Sequence, residues 1–264
     1  MLEVISALKN YAIEASDGKI GTVEDFLFDD KTWKIRWLVI DTGTWLIKRR
    51  VLLHPSSIVG SDYERESLKV NLTKAQVRES PDIGHDEPVS RQMENQLYNY
   101  YGWDPLWSGG YPWGGGLIGA HAGAIASPLS PPPYFSGSLR REGANEGNAL
   151  HEGGDPHLRS IAEVTGYHIN ATDGDIGHVE NFIVDSATLD IRYLIIDTKN
   201  WWTGKHILMS PDAVDGINWS DHHVQLNVTQ DQVKASPPWD PRDLMNQAAM
   251  KKLHAHYGWM AQGV

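Results

Sequence analysis

The sequence predicts a mainly β protein made of two small antiparallel β-barrels, each followed by a C-terminal α-helix. Three observations carry this prediction: an internal repeat, short runs of strand-forming residues in each repeat, and a stretch between the repeats rich in glycine and proline. We assign the first barrel and its helix to residues 1–104, a flexible linker to residues 105–157, and the second barrel and its helix to residues 158–264. Each copy is expected to be compact and to fold independently.

The repeat is the strongest signal in the chain. The segment that starts at Asp17-Gly18 returns at Asp173-Gly174, a shift of 156 positions (173 − 17). The same shift, with no net insertion, still relates Tyr101-Gly102-Trp103 to Tyr257-Gly258-Trp259. One structural unit has therefore been duplicated, and residues shared by both copies are expected to serve the fold.

Turn and strand signals recur at equivalent places in the two copies. Each Asp-Gly pair is a turn dipeptide and predicts a hairpin. The glycine that follows each turn, Gly21 or Gly177, breaks strict alternation and indicates a bulge. Segments 35–40 and 191–196 are rich in β-branched and aromatic residues and predict central strands. About five or six antiparallel strands per copy would leave exposed edges if flat, so a closed or nearly closed barrel is expected.

Composition excludes several classes of function. The chain has no cysteine, which rules out disulfides, thiolate metal sites and a thiol nucleophile. Its net charge of −11 argues against a phosphate backbone as partner, so nucleic acid is not expected. Neither a signal peptide nor a membrane-spanning segment is indicated. We expect a cytoplasmic protein, with peripheral association at a membrane surface left open.

Two aspartates at equivalent strand ends are the first candidates for chemistry. Asp41 and Asp197 each precede a threonine, and Glu24 and Glu180 are possible acid/base partners. Catalytic carboxylates usually differ in environment and pKa, whereas these recur identically in both copies. We therefore interpret them as turn residues that accept backbone N–H bonds, and we expect no catalytic site.

Two arginines interrupt otherwise apolar strands. Arg36 and Arg192 are each expected to form a structural ion pair with a glutamate on a neighbouring strand, Glu24 or Glu180. A site for the carboxylate of a ligand is the alternative.

Histidines and tryptophans supply the remaining candidates. Histidine is concentrated in the second barrel, at His168, His178, His206, His222, His223, His254 and His256. A metal or small-ligand site there is the alternative to scattered surface histidines, and neither a metal nor a cofactor is expected. Trp45, Trp201 and Trp202 follow strand ends, where they either cap their barrel or contact a partner protein.

These motifs resemble the PRC-barrel family, the small β-barrel named after the cytoplasmic domain of the photosynthetic reaction centre H subunit. The resemblance covers roughly residues 8–80 and 164–236. It is carried by the Asp-Gly-x-Ile-Gly-x-Val-Glu-x-Phe motif and by the segments from Arg36 to Thr42, Arg192 to Thr198, Trp45 to Pro55 and Trp201 to Pro211. It implies a domain that is not an enzyme and that docks on other proteins, in membrane electron-transfer complexes or on ribosomal components.

The function expected from the sequence is that of an adaptor or scaffold with two PRC-type barrels, by resemblance linked to reaction-centre or electron-transfer complexes. The two copies either dock separately on partners, or pair within the chain or across a homodimer. Two other classes stay open: an RNA- or ribosome-associated maturation factor, and a module that binds a metal or small ligand through the second barrel's histidines.

Overall fold

The computed structural model describes residues 1–46, 49–81, 91–103, 155, 157–198, 205–240 and 246–259. The expected linker lies outside these residues except for Asp155 and His157. The described part is mainly β, with two seven-stranded sheets and short helices.

Both copies follow the same order of elements. The first has β1 (Leu2–Val4), α1 (Ile5–Leu8), β2 (Ala12–Ala15), β3 (Gly18–Asp29), β4 (Lys34–Asp41), β5 (Arg50–Leu53), a 3₁₀ turn (Pro55–Ser57), β6 (Ile58–Asp62), β7 (Ser67–Val70), α2 (Lys74–Glu79) and α3 (Arg91–Tyr101). The second has β8 (Leu158–Ser160), α4 (Ile161–Val164), β9 (His168–Ala171), β10 (Gly174–Asp185), β11 (Ile191–Asp197), β12 (His206–Met209), a 3₁₀ turn (Pro211–Ala213), β13 (Val214–Asn218), β14 (His223–Leu226), α5 (Gln230–Lys234) and α6 (Gln247–Tyr257).

In each sheet the longest strand, β3 or β10, lies between two strands of its own copy. The strand order is β5-β4-β3-β2-β7-β6 in the first copy and β12-β11-β10-β9-β14-β13 in the second. The hairpin predicted at each Asp-Gly pair is present, and its central residues lie one position earlier, at Ser16-Asp17 in the first copy. A register shift next to Gly21 and another next to Gly177 confirm the bulges.

The expectation of purely antiparallel sheets is wrong at one place in each copy. Strands β2 and β7 run parallel, as do β9 and β14. A parallel pair needs a long crossover connection, and the chain between β2 and β7 supplies it, because β3 to β6 all intervene. Closure into a barrel requires contact between the end strands of each path, and this part of the expectation stays a prediction.

The two copies exchange their first strands. Strand β1 pairs antiparallel with β10 of the second copy, and β8 pairs antiparallel with β3 of the first. Leu2 lies opposite Asp185, and Leu158 lies opposite Asp29. These two pairs are related by the shift of 156 positions (158 − 2 and 185 − 29). Each seven-stranded sheet therefore contains six strands of one copy and one strand of the other.

A second reciprocal contact lies where the copies meet. Lys34 and Asp190, which are equivalent under the repeat, form an isolated antiparallel bridge. The amide of Ile35 donates to the carbonyl of Leu189 at 3.0 Å, and the amide of Ile191 donates to that of Trp33 at 2.7 Å. Residue i contacts j while j contacts i, which is the arrangement found across a two-fold axis. The duplicated chain thus pairs with itself as a two-fold dimer would.

One apolar core runs through both copies. Phe28 and Phe182, both fully buried, lie in contact with ring centroids 6.0 Å apart, and a single cluster of buried side chains joins the two sheets. Helices α1 and α4 each pack on the sheet of the other copy. Each copy thus receives one strand and part of its core from the other, and independent folding of the copies stays a prediction.

A longer helix follows each sheet. Helix α3 is followed by Gly102 and α6 by Gly258, both in the left-handed conformation (φ 68° and 72°) that glycine adopts readily after a helix. The residues just before these two helices, 82–90 and 241–245, lie outside the described residues. No helix in the described part of the chain has the length and apolar character needed to cross a membrane.

The glycines at the bulges provide a test of this packing. A Cβ built on Gly21 would lie 2.1 Å from the carbonyl oxygen of Asp41, far inside van der Waals contact. We expect Gly21→Ala to lower the free energy of unfolding by more than about 2 kcal/mol, measured by urea denaturation. Gly60→Ala is the matched control, because nothing lies within 4 Å of its Cβ position. Equal stability of the two variants would contradict the close approach.

Candidate functional site

The outer face of each sheet, on the side away from the shared core, lies under the C-terminal helix of its copy. In the first copy this helix-covered face is a separate buried cluster made of Trp37, Val39, Leu52, Leu97, Tyr98 and Leu158. In the second copy the equivalent cluster is Ile183, Tyr193, Ile195, Leu208, Met250 and Leu253. The two faces share a position in the fold, but their chemistry differs.

A buried group of charges lies beside the first copy's face. Arg36 is 2% exposed, and its guanidinium contacts three carboxylates: Glu94, Asp155 at 2.8 Å and Asp29 at 3.3 Å. Glu94 is fully buried and also accepts a bond from the indole Nε1 of Trp37. Burial alone would lower the pKa of Arg36, but the charges of Glu94 and Asp155 raise it above its ordinary value. We call these four charged residues the Arg36 cluster.

The Arg36 cluster joins three segments that are far apart in the chain. Asp29 ends β3, Glu94 lies on α3, and Asp155 precedes the exchanged strand β8. A residue before the expected linker, Glu94, and one near its C-terminal end, Asp155, are therefore fixed to one guanidinium. The expected pair between Arg36 and Glu24 is wrong. Antiparallel register places Arg36 near the far end of β3, and Glu24 contacts Arg50 at 2.7 Å instead.

Aromatic rings surround a buried histidine next to this cluster. The His54 ring lies 5.6 Å from Trp37, 5.6 Å from Tyr98 and 5.7 Å from Trp103, centroid to centroid. Its Nδ1 accepts a hydrogen bond from the amide of Ser56, the second residue of the 3₁₀ turn. Burial, with a smaller contribution from the positive charge of Arg36, lowers the pKa of His54 to about 4. The imidazole is therefore neutral in the folded protein at neutral pH.

The second copy lacks the residues that make this arrangement. Under the repeat, Met250 takes the place of Glu94 and Ser210 that of His54. Arg192 contacts Asp185 at 3.7 Å and is 26% exposed. Its expected pair with Glu180 is wrong, because Glu180 lies 2.9 Å from His206. The shared arginine thus contacts an equivalent aspartate in both copies, Asp29 or Asp185, and Arg36 also contacts Glu94 and Asp155.

An open cleft of about 180 Å³ lies at the helix-covered face of the second copy. It is lined by Leu208, Pro237, Pro238, Trp239, Ala249, Met250, Lys252 and Leu253. The indole Nε1 of Trp239 is buried without a hydrogen-bond partner among the described residues. The backbone amide of Trp239 donates a hydrogen bond to the carbonyl of His206 at 2.8 Å, so this wall of the cleft is attached to the edge of the sheet.

The two candidate aspartates lie at strand ends beside the bulge glycines. Asp41 is exposed and accepts a bond from the amide of Gly43 at 2.8 Å, as a turn residue does. Asp197 is 5% exposed and lies 3.9 Å from His178. A Cβ on Gly177 would lie 2.1 Å from the carbonyl oxygen of Asp197, as for Gly21 and Asp41. The backbone of these aspartates is thus packed against the neighbouring strand.

The aspartates of the Asp-Gly pairs bond to the start of a helix. Asp17 accepts from the amide of Lys74 at 2.8 Å, and Asp173 accepts from that of Gln230 at 2.7 Å. The following glycines, Gly18 and Gly174, have φ of 129° and 152°. Each pair therefore connects the first hairpin to helix α2 or α5.

Of the three candidate tryptophans, Trp45 lies among the described residues. The indole Nε1 of Trp45 donates to the carbonyl of Ile20, and Lys74 lies 4.9 Å above its ring. Trp45 thus covers the end of its own copy while staying partly exposed. Trp201 and Trp202 lie outside the described residues, and contact of all three with a partner protein stays a prediction.

The second copy's histidines are spread over several surfaces. His168 and His223 stack with centroids 5.3 Å apart, and the Tyr193 hydroxyl lies 2.6 Å from the Nε2 of His254. Among the described residues, no group of three or more His, Asp or Glu side chains is arranged to hold a metal ion.

Sequence reasoning missed Glu94, Asp155 and the burial of His54. A signal for two of them was present, because Glu94 aligns with Met250 and His54 with Ser210, which are chemical differences inside an otherwise similar repeat. Asp155 gave no such signal, since its equivalent position would precede Met1.

The Arg36 cluster predicts a large difference between two glutamates. Glu94→Gln keeps the shape of the side chain but removes a charge buried against Arg36, so we expect a loss of about 3 kcal/mol in the free energy of unfolding. Glu24→Gln removes an exposed partner of Arg50 and should cost less than about 1 kcal/mol. Urea denaturation of both variants makes the comparison. A similar small loss in both would mean that the buried charges contribute little.

Protonation of His54 should weaken the fold in acid. Its pKa is about 4 in the folded state against 6.5 ordinarily, so its contribution is complete above pH 6.5 and is lost as the pH falls toward 4. The shift corresponds to a contribution on the order of 3 kcal/mol. The acid loss of stability should be smaller in His54→Ser, which copies the second copy's Ser210. An NMR titration showing His54 with a pKa near 6.5 would refute its burial.

Comparison with known proteins gives one family. The sequence model described as PRC-barrel domain matches residues 5–77 and 160–233. The matches begin at α1 and within β8, and they cover both copies of the repeat. No curated protein matches the chain significantly.

Proposed function

Because the chain belongs to the PRC-barrel domain family through both of its copies, we propose that it is a non-enzymatic scaffold that docks on other proteins. The observation that supports this most is the exchange of strands between the copies. The exchange fixes the two copies in one relative orientation, so their two related surfaces are preorganised for one partner or for a pair of partners. Preorganisation lowers the entropy that a second contact must lose.

The difference between the copies gives the scaffold two unlike ends. The first copy's helix is held by the Arg36 cluster, whereas the second copy's helix borders an open, mostly apolar cleft. A scaffold with two unlike ends is suited to two different contacts. Attachment to a reaction-centre or other electron-transfer complex is one form of this proposal, and it follows the family resemblance.

Crosslinking inside the source cell, followed by purification and mass spectrometry, tests the proposal. We expect a small, reproducible set of proteins crosslinked to the chain. The Gly21→Ala and Gly60→Ala variants serve as a matched pair, because only the first introduces a clash with backbone. Partners that recognise the folded scaffold should be lost with Gly21→Ala and kept with Gly60→Ala.

Three results would contradict a scaffold. Recovery of RNA that dissociates steeply with added salt would favour the maturation factor. A stoichiometric metal in protein purified without a histidine tag would favour the metal-binding alternative. Turnover of a small molecule by the purified chain, with no protein crosslinked, would favour an enzyme.

A further inference from the structure

The contact between the copies is two-fold in its backbone but not in its charges. The exchanged strands β1 and β8 occupy equivalent places, and Glu3 of β1 corresponds to Arg159 of β8 under the repeat. Asp30, which Arg159 approaches, corresponds to Ser186. The same backbone contact is therefore made once with an acid and a base, and once with an acid and a hydroxyl residue.

The first of these contacts is an ion pair with little access to water. Asp30 lies 3.6 Å from the Nε of Arg159 and 2.9 Å from the Nδ1 of His157. The side chains of Asp30 and Arg159 are only 13% and 16% exposed. Burial raises the pKa of Asp30, partly offset by the hydrogen bond and charge of His157 and by the charge of Arg159. A second negative charge in this place would be poorly screened.

The second contact has no such pair. Ser186 donates from its amide and its hydroxyl to the carbonyl of Met1 at 2.8 and 3.0 Å. Glu3 lies on the exchanged strand β1, which follows Met1, and its Oε1 is buried without a hydrogen-bond partner among the described residues. On the pseudo-two-fold axis, Lys34 lies 3.0 Å from Asp190, its own equivalent.

We propose that these charges make the interface select the unlike copy, so that a first copy pairs with a second copy and not with another first copy. Two first copies in the same arrangement would place Lys34 against Lys34 and Glu3 against Asp30. Two second copies would place Asp190 against Asp190 and leave Arg159 opposite Ser186. Only the unlike pair brings opposite charges together, Lys34 with Asp190 and Arg159 with Asp30. Like charges brought together at an interface suppress the wrong partner.

This selection removes two of the pairings by which a duplicated, self-complementary unit could join one chain to the next, namely first copy with first copy and second copy with second copy. A unit that exchanges strands with any copy of itself would join one chain to the next through either half. Pairing restricted to unlike copies is satisfied within one chain, which leaves the outer faces for other contacts.

A divided chain tests the selection. The gene is split within the linker so that first and second halves are made in one cell, with the first half present in two versions that carry different tags. Capture on one tag should recover the second half in at least about tenfold excess over the other tagged first half. Recovery of both first halves in similar amounts, or failure to recover the second half, would overturn the proposal.

A charge switch in the first half provides the second arm. Glu3→Arg with Lys34→Asn places a base against Asp30 and removes the Lys34 repulsion in a pair of first copies. When one tagged version of the first half is captured, the amount of the other tagged version that comes with it should rise about tenfold. Glu64→Arg with Lys69→Asn makes the same charge changes at exposed positions of the same copy away from the exchanged strands and should leave recovery unchanged. Equal recovery with both double variants would show that these charges do not select the partner.

Discussion

The exchange of one strand between the copies is the constraint on which the rest of the structure depends. Each long strand, β3 or β10, has its outer end paired with a three-residue strand from the other half of the chain. Without that strand the backbone groups of residues 27–29 and 183–185 that face it would lose their partners, and buried unpaired backbone groups are costly. The shared core follows, because pairing at this edge brings Phe28 and Phe182 together.

Exchange also accounts for the difference between the helix-covered faces. In the first copy the chain must leave through α3 and return at Asp155 to reach β8, and Arg36 holds both points. In the second copy Met250 stands in place of Glu94, and Arg192 contacts Asp185, which also binds the amino group of Met1 at 3.2 Å. The buried charges are thus found where two distant segments converge, and apolar packing replaces them elsewhere.

The parts of the fold that could be predicted are those encoded locally. The hairpins, the bulges at Gly21 and Gly177 and the central strands follow from turn dipeptides, glycine and β-branched runs, all within about ten residues of each other. The exchanged strands could not be assigned, because three residues such as Leu2–Val4 carry no signal for the sheet they join. The partners of Arg36 were missed for a similar reason: Glu94 and Asp155 are distant in sequence, and the nearer Glu24 fits a local rule equally well.

Native-state hydrogen exchange tests the shared fold most directly. Gly177→Ala introduces into the second copy a Cβ that would lie 2.1 Å from the carbonyl oxygen of Asp197. If the copies form one cooperative unit, the amides of residues 26–28 in the first copy should lose as much protection as those of residues 182–184. Full protection in the first copy beside a destabilised second copy would show that the halves fold separately and would contradict the shared core.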